Sequence, residues 1–255
     1  MPTSWAMGGT GVTSGCEVAV DEAPVTFPRV AEVVPHDPAA FTQGLVFAGG
    51  QLFESTGRYG VSDLRRIDPR TGRVLARRAL NEKLFGEGLA VLGDGLWQLT
   101  WRENTVLVWD RYSLEPVGEH HYNGQGWGLT THDGHFYMSD GSARLSVRDP
   151  RRFSVRGYVQ VCDHRGPVQR LNELEWVNGM IWANVWHSSR IAVIDPTDGR
   201  VRHWLDLARI VAREAPDGGV LNGIARNPTT GDVWITGKLW SHMYRITGYP
   251  GEAKP

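Results

Sequence analysis

The sequence predicts an all-β protein, a five-bladed β-propeller of four-stranded antiparallel blades closed by an N-terminal strand. Three observations predict this fold. A short motif recurs every 40 to 50 residues, each copy precedes the pattern of a β-hairpin, and one early strand has no repeat of its own. The 255 residues are enough for one such ring with a buried core.

The recurring motif marks the first strand of each blade. Its five copies are Thr42-Gln43-Gly44-Leu45, Gly86-Glu87-Gly88-Leu89, Gly126-Trp127-Gly128-Leu129, Leu171-Asn172-Glu173-Leu174 and Leu221-Asn222-Gly223-Ile224. Each copy is followed by a short apolar run, a turn and a second run, as in Asp133-Gly134 before Phe136-Tyr137. Two further runs follow in most units. Each unit is therefore predicted to be a four-stranded meander.

The two ends of the repeat region predict how the ring closes. The fifth repeat ends near Ile246 with three predicted strands instead of four. Residues 29–34, by contrast, are predicted to form a strand that belongs to none of the five repeats. We expect that strand to complete the last blade, and an open linear solenoid is the alternative. A helical insert is predicted at about residues 205–214.

Residues 1–26 are predicted to be a flexible leader, so that one propeller domain spans residues 27–255. The leader is rich in Gly, Ser and Thr and contains no Lys or Arg, so it lacks the basic region of a secretory signal. A lipoprotein-type cleavage box ending at Cys16 is the alternative. Cys16 and Cys162 are too few for a disulfide framework, which leaves the redox compartment and their modification open.

Charge and composition exclude several classes of partner. The chain has 27 basic and 28 acidic residues, so no overall basic field attracts nucleic acid. No stretch approaches the roughly 20 apolar residues of a membrane-spanning helix. The histidines form no HxH or HExxH motif that would indicate a metal site. The arginine pairs beginning at Arg65, Arg77 and Arg151 are interpreted as solvated charges of outer strands.

Two sets of repeat-equivalent positions are predicted to converge on one face of the ring. They lie at the start of each first strand and the end of each second strand: Gln43, Glu87, Trp127, Asn172 and Asn222, and Gly57, Trp101, Gly141, Trp186 and Lys238. Any one of these residues could serve packing or a turn alone. Together they place one carboxylate and one ammonium among indoles and amides, which indicates acid/base chemistry in an apolar funnel.

The motifs at these positions resemble the plant and bacterial type of glutaminyl cyclase (glutaminyl-peptide cyclotransferase). The resemblance rests on the five motifs above together with Phe41, Ser139-Asp140-Gly141-Ser142, Asn184-Val185-Trp186 and Gly237-Lys238-Leu239-Trp240, and it runs from about Val30 to Ile246. It implies a five-bladed propeller that converts the N-terminal glutamine of peptides or proteins to pyroglutamate with loss of ammonia.

The resemblance also implies roles for individual residues. Glu87 would be the acid/base, Lys238 and Asn172 the electrophilic groups, and Gln43 a substrate-orienting amide. The pocket wall would be Phe41, Trp101, Trp127 and Trp186. No metal or cofactor is expected to take part in catalysis, and a structural cation in the axial channel is not predicted. We expect a monomer, and the resemblance favours an exported protein.

Two alternatives belong to other classes of protein. A non-catalytic peptide- or protein-binding propeller would use the same rim without turnover. A calcium-dependent lactonase-type propeller would need several axial carboxylates, whereas this rim offers Glu87 with Asp140 at best a second.

Overall fold

Five four-stranded antiparallel sheets form a ring in the computed structural model of the chain, which describes residues 16, 21–214 and 219–252. The elements are, in chain order, β1 (Val25–Thr26), β2 (Arg29–Pro35), β3 (Thr42–Ala48), β4 (Gln51–Thr56), β5 (Asp63–Ile67), β6 (Val74–Ala79), β7 (Gly86–Leu92), β8 (Gly95–Thr100), β9 (Thr105–Asp110), β10 (Pro116–His121), β11 (Leu129–His132), β12 (His135–Met138), β13 (Arg144–Arg148), β14 (Val155–Gln160), β15 (Cys162–Asp163), β16 (Gly166–Pro167), β17 (Leu171–Val177), β18 (Met180–Val185), β19 (Arg190–Ile194), β20 (Val201–Asp206), α1 (Ala208–Glu214), β21 (Leu221–Arg226), β22 (Val233–Gly237) and β23 (His242–Thr247).

The strand order confirms the prediction of five four-stranded antiparallel blades. From the axis outwards the blades are β3–β6, β7–β10, β11–β14, β17–β20 and β21–β23 followed by β2. The short strand β1 adds to the outer edge of β20, and β15 and β16 form a separate small hairpin. Each innermost strand contacts the innermost strand of the next blade, and β21 contacts β3. The five blades therefore surround one axis.

The burial of the strands explains why the first run of each repeat is the most regular in sequence. All seven residues of β3 are buried, since neighbouring blades cover both faces of an innermost strand. The outer strand β10 exposes nearly all of its side chains. One hydrophobic cluster fills each interface between adjacent blades, and these clusters together form the core.

Strand β2 lies at the outer edge of the fifth blade. It pairs antiparallel with β23, with Val34 opposite Met243. Both side chains are buried in the interface between the fifth and first blades. The predicted strand at residues 29–34 thus exists and extends to Pro35.

The predicted helical insert is α1, which is shorter than expected at its start. Leu205 and Asp206 remain in β20, and the Asp206 carboxylate accepts a hydrogen bond of 3.0 Å from the backbone N–H of Ala208. This contact satisfies one free amide at the start of the helix. No helix among the described residues is long and apolar enough to span a membrane.

The prediction that residues 1–26 lie outside the fold needs correction for residues 21–26. Ala23 is buried in the interface between the third and fourth blades. Strand β1 pairs parallel with the edge of β20, where Val25 lies opposite Trp204. A two-residue strand is too short to show an alternating pattern, so the sequence did not reveal it. The predicted leader at residues 1–15 and 17–20 lies outside the described residues.

A disulfide joins the two cysteines and ties the N-terminal segment to the ring. The Cα atoms of Cys16 and Cys162 lie 5.7 Å apart, and the bond spans 146 positions of sequence. Cys162 is fully buried beside the third and fourth blades. Spacing alone could not predict this bond, because the two residues meet only when the third blade is folded.

We expect removal of this disulfide to lower the free energy of unfolding by about 2–4 kcal/mol, because a long loop of the unfolded chain becomes free. The variant Cys16→Ser leaves the buried Cys162 in place, and urea unfolding with and without reductant gives the measurement. Reductant should destabilise the wild type and leave Cys16→Ser unaffected. Equal stability of the oxidised and reduced wild type would contradict the expectation.

The interpretation of Arg65 as a solvated outer-strand charge is wrong. Its guanidinium is buried and binds Asp63 at 2.7 Å and Asp37 at 2.9 Å. β5 is the third strand of its blade rather than the outermost, so its side chains reach the blade interior. His36 belongs to the same network, with its ring 2.9 Å from Glu54 and 2.8 Å from the carbonyl oxygen of Trp240.

Candidate active site

One pocket on the axis collects every residue that the sequence analysis proposed for catalysis or substrate binding. The cavity has a volume of about 270 Å³. Its lining consists of Phe41, Gln43, Phe85, Glu87, Trp101, Trp127, Asn172, Trp186 and Lys238. Of these, Phe85 was not predicted.

Irregular strand pairing turns the polar side chains towards the axis. The register shifts in β3 between Thr42 and Gly44, and in β7 between Gly86 and Leu89. The same shift occurs around Asn172 in β17 and around Asn222 in β21. A β-bulge re-aims a side chain at the point where it interrupts the ladder. The irregular positions of three blades, Gln43, Glu87 and Asn172, line the pocket, whereas Asn222 of the fifth blade does not.

Glycines beside these positions allow the blades to approach closely. A Cβ atom on Gly44 would lie 2.4 Å from the backbone nitrogen of Leu89, and one on Gly88 would lie 2.6 Å from that of Leu129. The fourth blade carries Glu173 at the equivalent position. Its buried carboxyl accepts hydrogen bonds from the amides of Ile224 at 2.9 Å and Leu45 at 3.4 Å, which links the first and fifth blades below the pocket.

Glu87 is held in surroundings that favour its neutral form. Only 5% of the residue is exposed. Burial raises the pKa of Glu87 well above its usual value, the charge of Lys238 opposes that shift, and Glu103 adds to it. The Gln43 amide donates a hydrogen bond of 3.1 Å to its Oε1. The carboxyl group is thus oriented by one donor and poised to exchange a proton.

Lys238 lies across the same pocket with its ammonium group free. Its Nζ lies 4.8 Å from the centroid of the Phe41 ring, a cation–π contact. It has no ion pair or side-chain hydrogen bond with the described residues. Burial lowers the pKa of Lys238 to about 8, against the raising effect of Glu87. The group therefore keeps its charge at neutral pH and loses it in mildly alkaline solution.

The amides of the site divide into a free group and a connected pair. Asn172 is buried, and its Oδ1 finds no partner among the described residues. Gln43 receives a hydrogen bond of 3.4 Å from Asn222, which also donates to the carbonyl oxygen of Thr42 at 3.0 Å. Asn222 was expected on the rim, but it is fully buried beneath Gln43, where its amide group hydrogen-bonds to β3 of the first blade.

Aromatic side chains form the wall and the mouth of the pocket. Phe85 contacts Phe41 edge to face at 6.3 Å and Trp101 at 5.5 Å between ring centroids. Trp127 and Trp186 meet edge to face at 5.5 Å. These contacts fix the rings around a space suited to an aliphatic stem.

Phe85 and Gln125 were not predicted to belong to the site, although both occupy the same position of the repeat. Phe85 lies two residues before Glu87, as Phe41 lies two residues before Gln43. Gln125 lies two residues before Trp127, and its Oε1 accepts hydrogen bonds from the indoles of Trp101 at 2.9 Å and Trp127 at 3.0 Å. Extending the alignment of the five motifs by two residues towards the N-terminus would have identified Phe85 and Gln125 as candidate site residues.

Gly141 supports the wall, and its replacement tests how tightly the indoles are placed. A Cβ atom there would lie 2.8 Å from the Trp127 ring, so we expect Gly141→Ala to raise KM about 10-fold by displacing the indole. Gly134→Ala is the matched control, because Gly134 also has a positive φ but its Cβ would meet nothing within 4 Å. Equal KM values for the two variants would show that Trp127 does not hold substrate.

The described residues contain no group of three or more His, Cys, Asp or Glu side chains placed to hold a metal ion. The side chains of the pocket that can act on a substrate are the Glu87 carboxyl with its raised pKa, the Lys238 ammonium and the Asn172 amide. This combination within a five-bladed ring defines a propeller with an acid/base pocket suited to proton transfer and to stabilising charge on oxygen.

Comparison with known proteins supplies the family. The model of the glutamine cyclotransferase family matches residues 4–247, beginning inside the predicted leader. The chain is 40% identical over 251 residues to glutaminyl-peptide cyclotransferase of Arabidopsis thaliana, covering 96% of this chain and 78% of that protein. The chain therefore belongs to the glutamine cyclotransferase family.

Solved structures agree with this assignment. The crystal structure of Myxococcus xanthus glutaminyl cyclase superposes with a TM-score of 0.84 at 37% identity, covering 89% of this chain and 98% of that one. The WD40 propeller domain of Doa1 matches at 12% identity with a TM-score of 0.50, covering 81% of this chain and 63% of that one, which shows a likeness of fold alone.

Proposed function

We propose that this pocket converts the N-terminal glutamine of peptides or proteins to pyroglutamate with release of ammonia. Membership of the glutamine cyclotransferase family supports this activity, as do the names of the Arabidopsis and Myxococcus relatives. The observation that carries the proposal is the placement of Glu87 and Lys238 in one aromatic-walled cavity of about 270 Å³. That volume is just below the roughly 300–1,000 Å³ of sites for whole small molecules, which suits one terminal residue.

The reaction needs no second substrate. The α-amine nitrogen attacks the δ-carboxamide carbon of the same residue, and the new C–N bond closes a lactam ring. The original amide C–N bond then breaks, and its nitrogen leaves as ammonia with the proton that the amine has lost. Because the attack is intramolecular, holding the residue in a folded conformation supplies much of the rate enhancement. The aromatic wall of Phe41, Trp101, Trp127 and Trp186 holds that conformation.

The polar side chains of the pocket transfer the proton, orient the acid/base group and stabilise the charged intermediate. Glu87 accepts the proton of the attacking amine and delivers it to the departing nitrogen, a role suited to a carboxyl group whose pKa lies closer to the working pH. Gln43 keeps the carboxyl oriented through its hydrogen bond. The Lys238 ammonium and the side-chain N–H group of Asn172 donate to the oxygen of the tetrahedral intermediate and stabilise its negative charge.

Ammonia release from glutamine amide and from a glutaminyl peptide tests the function. The peptide should lose the mass of one ammonia, while the same peptide with an acetylated α-amine should stay unchanged because its nucleophile is blocked. Turnover should survive treatment with a chelator, since Glu87 moves the protons. Tight peptide binding without ammonia release would favour a binding propeller, and loss of turnover on chelation would require a metal.

We further infer that strand β2 keeps the ring closed and that the closed ring functions as a monomer. Deleting residues 1–34 should abolish folding, because it leaves the edge of β23 unpaired on the blade that carries Lys238. Deleting residues 1–26 keeps β2 and removes β1, the buried Ala23 and the disulfide, so that chain should be less stable but active. Circular dichroism and size-exclusion chromatography compare the two. A monomeric, active chain without residues 1–34 would contradict the role of β2.

A further inference from the structure

Two arginines lie at the mouth of the pocket without acidic partners. Arg58 is in the loop after β4 and Arg102 is in the loop after β8. The Arg58 guanidinium lies 4.6 Å from the centroid of Phe41, and that of Arg102 lies 3.7 Å from the centroid of Trp101. Neither guanidinium forms an ion pair or a hydrogen bond with the described residues. Both are therefore exposed charges held against the pocket wall by stacking alone.

The backbone at Arg58 has a turn conformation that the repeat uses in other blades as well. Its φ of 95° lies in the region that favours glycine. The equivalent residues His187 and Leu239, which also lie two residues after the second strand of their blades, have positive φ values of 61° and 62°. This turn brings the Arg58 side chain back over the pocket wall, where its guanidinium stacks on Phe41.

The carboxylates around the mouth do not neutralise these charges. Glu103 lies between the two loops, where it accepts hydrogen bonds from the Tyr59 hydroxyl at 2.8 Å and from the backbone amide of Phe85 at 3.4 Å. Asp140 lies on the other side of the pocket, next to the glycine that packs against Trp127. The side of the mouth formed by Phe41, Phe85 and Trp101 thus carries two arginines and one carboxylate, and that carboxylate is already hydrogen-bonded. Lys238 adds a further positive charge in the pocket itself.

We propose that Arg58 and Arg102 select substrates whose second residue, directly after the N-terminal glutamine, is acidic. This inference rests on the proposed function and names the substrate class of the same pocket. When glutamine fills the cavity, the peptide leaves past the mouth, which places the next side chain beside the two guanidinium groups. A stacked guanidinium keeps its N–H edge free to bind a carboxylate through two hydrogen bonds.

The same positive charge assists the reaction step. The attacking amine must be neutral, and a peptide α-amine in water has a pKa of about 7.7–8.0. Nearby cations lower the pKa of an amine by disfavouring its charged form. A positive mouth therefore increases the reactive fraction of bound substrate while it attracts an acidic second residue.

Three peptides that differ only at the second residue test the proposal: Gln-Glu-Ala amide, Gln-Gln-Ala amide and Gln-Lys-Ala amide. We expect kcat/KM for ammonia release to be about threefold to tenfold higher with Glu than with its neutral isostere Gln, and lowest with Lys. The difference should appear mainly in KM and shrink at high salt. In the double variant Arg58→Gln/Arg102→Gln the ratio of the Glu and Gln peptides should fall to about one.

The control removes the same charge on the other face of the ring. Arg151→Gln/Arg152→Gln changes two exposed arginines in the turn between β13 and β14, and this variant should keep the wild-type ratio. Equal kcat/KM for the three peptides, a preference for Lys through Asp140, or an unchanged ratio in Arg58→Gln/Arg102→Gln would overturn the inference while leaving the function intact. Ammonia release from none of the peptides would overturn the proposed function itself.

Discussion

Replacing Glu87 with glutamine is expected to lower kcat about 10²- to 10⁴-fold, because the amide keeps the shape of the side chain but cannot carry a proton. The amide oxygen introduced by Glu87→Gln would still accept the hydrogen bond that Gln43 donates, so the pocket should keep its geometry. Ammonia release under saturating substrate measures the effect. The change should fall on kcat rather than on KM, since the proton is transferred only during reaction.

The control for this variant is Glu175→Gln. Glu175 is also a buried carboxyl, and burial raises its pKa to about 8, but it lines a separate cavity on the opposite face of the ring. A general effect of removing a buried carboxyl would appear in both variants, whereas an acid/base role predicts loss only at position 87. Wild-type turnover by a folded Glu87→Gln protein would remove Glu87 from the mechanism.

Replacing Lys238 with alanine is expected to lower kcat about 100-fold, which corresponds to about 3 kcal/mol of lost stabilisation at the developing oxyanion. The substrate amide is neutral before attack, so KM should change less than kcat. Lys83→Ala is the control, since Lys83 is exposed in the loop before β7 and does not line the pocket. A rise in KM with unchanged kcat would make Lys238 a binding residue.

The pH profile provides a second readout for Lys238. Its pKa of about 8 means that the ammonium loses its proton as the pH rises through that value, so turnover should fall on the alkaline side. An arginine keeps its charge throughout this range. The descending limb should therefore disappear in Lys238→Arg, even if the larger side chain lowers overall activity. A descending limb that persisted in Lys238→Arg would belong to another group.

The repeat explains how much of the site was predictable from the sequence. Gln43, Glu87 and Asn172 occupy one position of the repeat, so the alignment of the five motifs alone predicts that they lie on the same face of the ring. Lys238 is predicted on that face as well, because it lies at the end of the second strand of its blade. The pocket contains all of the proposed residues because blade geometry converts equal sequence position into spatial proximity.

Features that depend on contacts between distant segments were not predictable in this way. Asn222 shares the repeat position but lies beneath Gln43, where it hydrogen-bonds to Gln43 and to the carbonyl oxygen of Thr42. The Cys16–Cys162 bond and the buried network of Arg65 arise only from tertiary packing. The φ of Arg58 leaves no mark in the sequence, because non-glycine residues seldom adopt it.

The pairing of β2 with β23 has a consequence for how the chain folds during synthesis. Glu32 and Arg245 are 213 positions apart and hydrogen-bond across these strands. The ribosome releases β2 before any complete blade and its partner β23 last, so β2 stays unpaired while the first four blades are synthesised. Long-range pairing of this kind slows folding and exposes a strand edge to association with other chains. The pocket is completed at the same late stage, because Lys238 also belongs to that final blade.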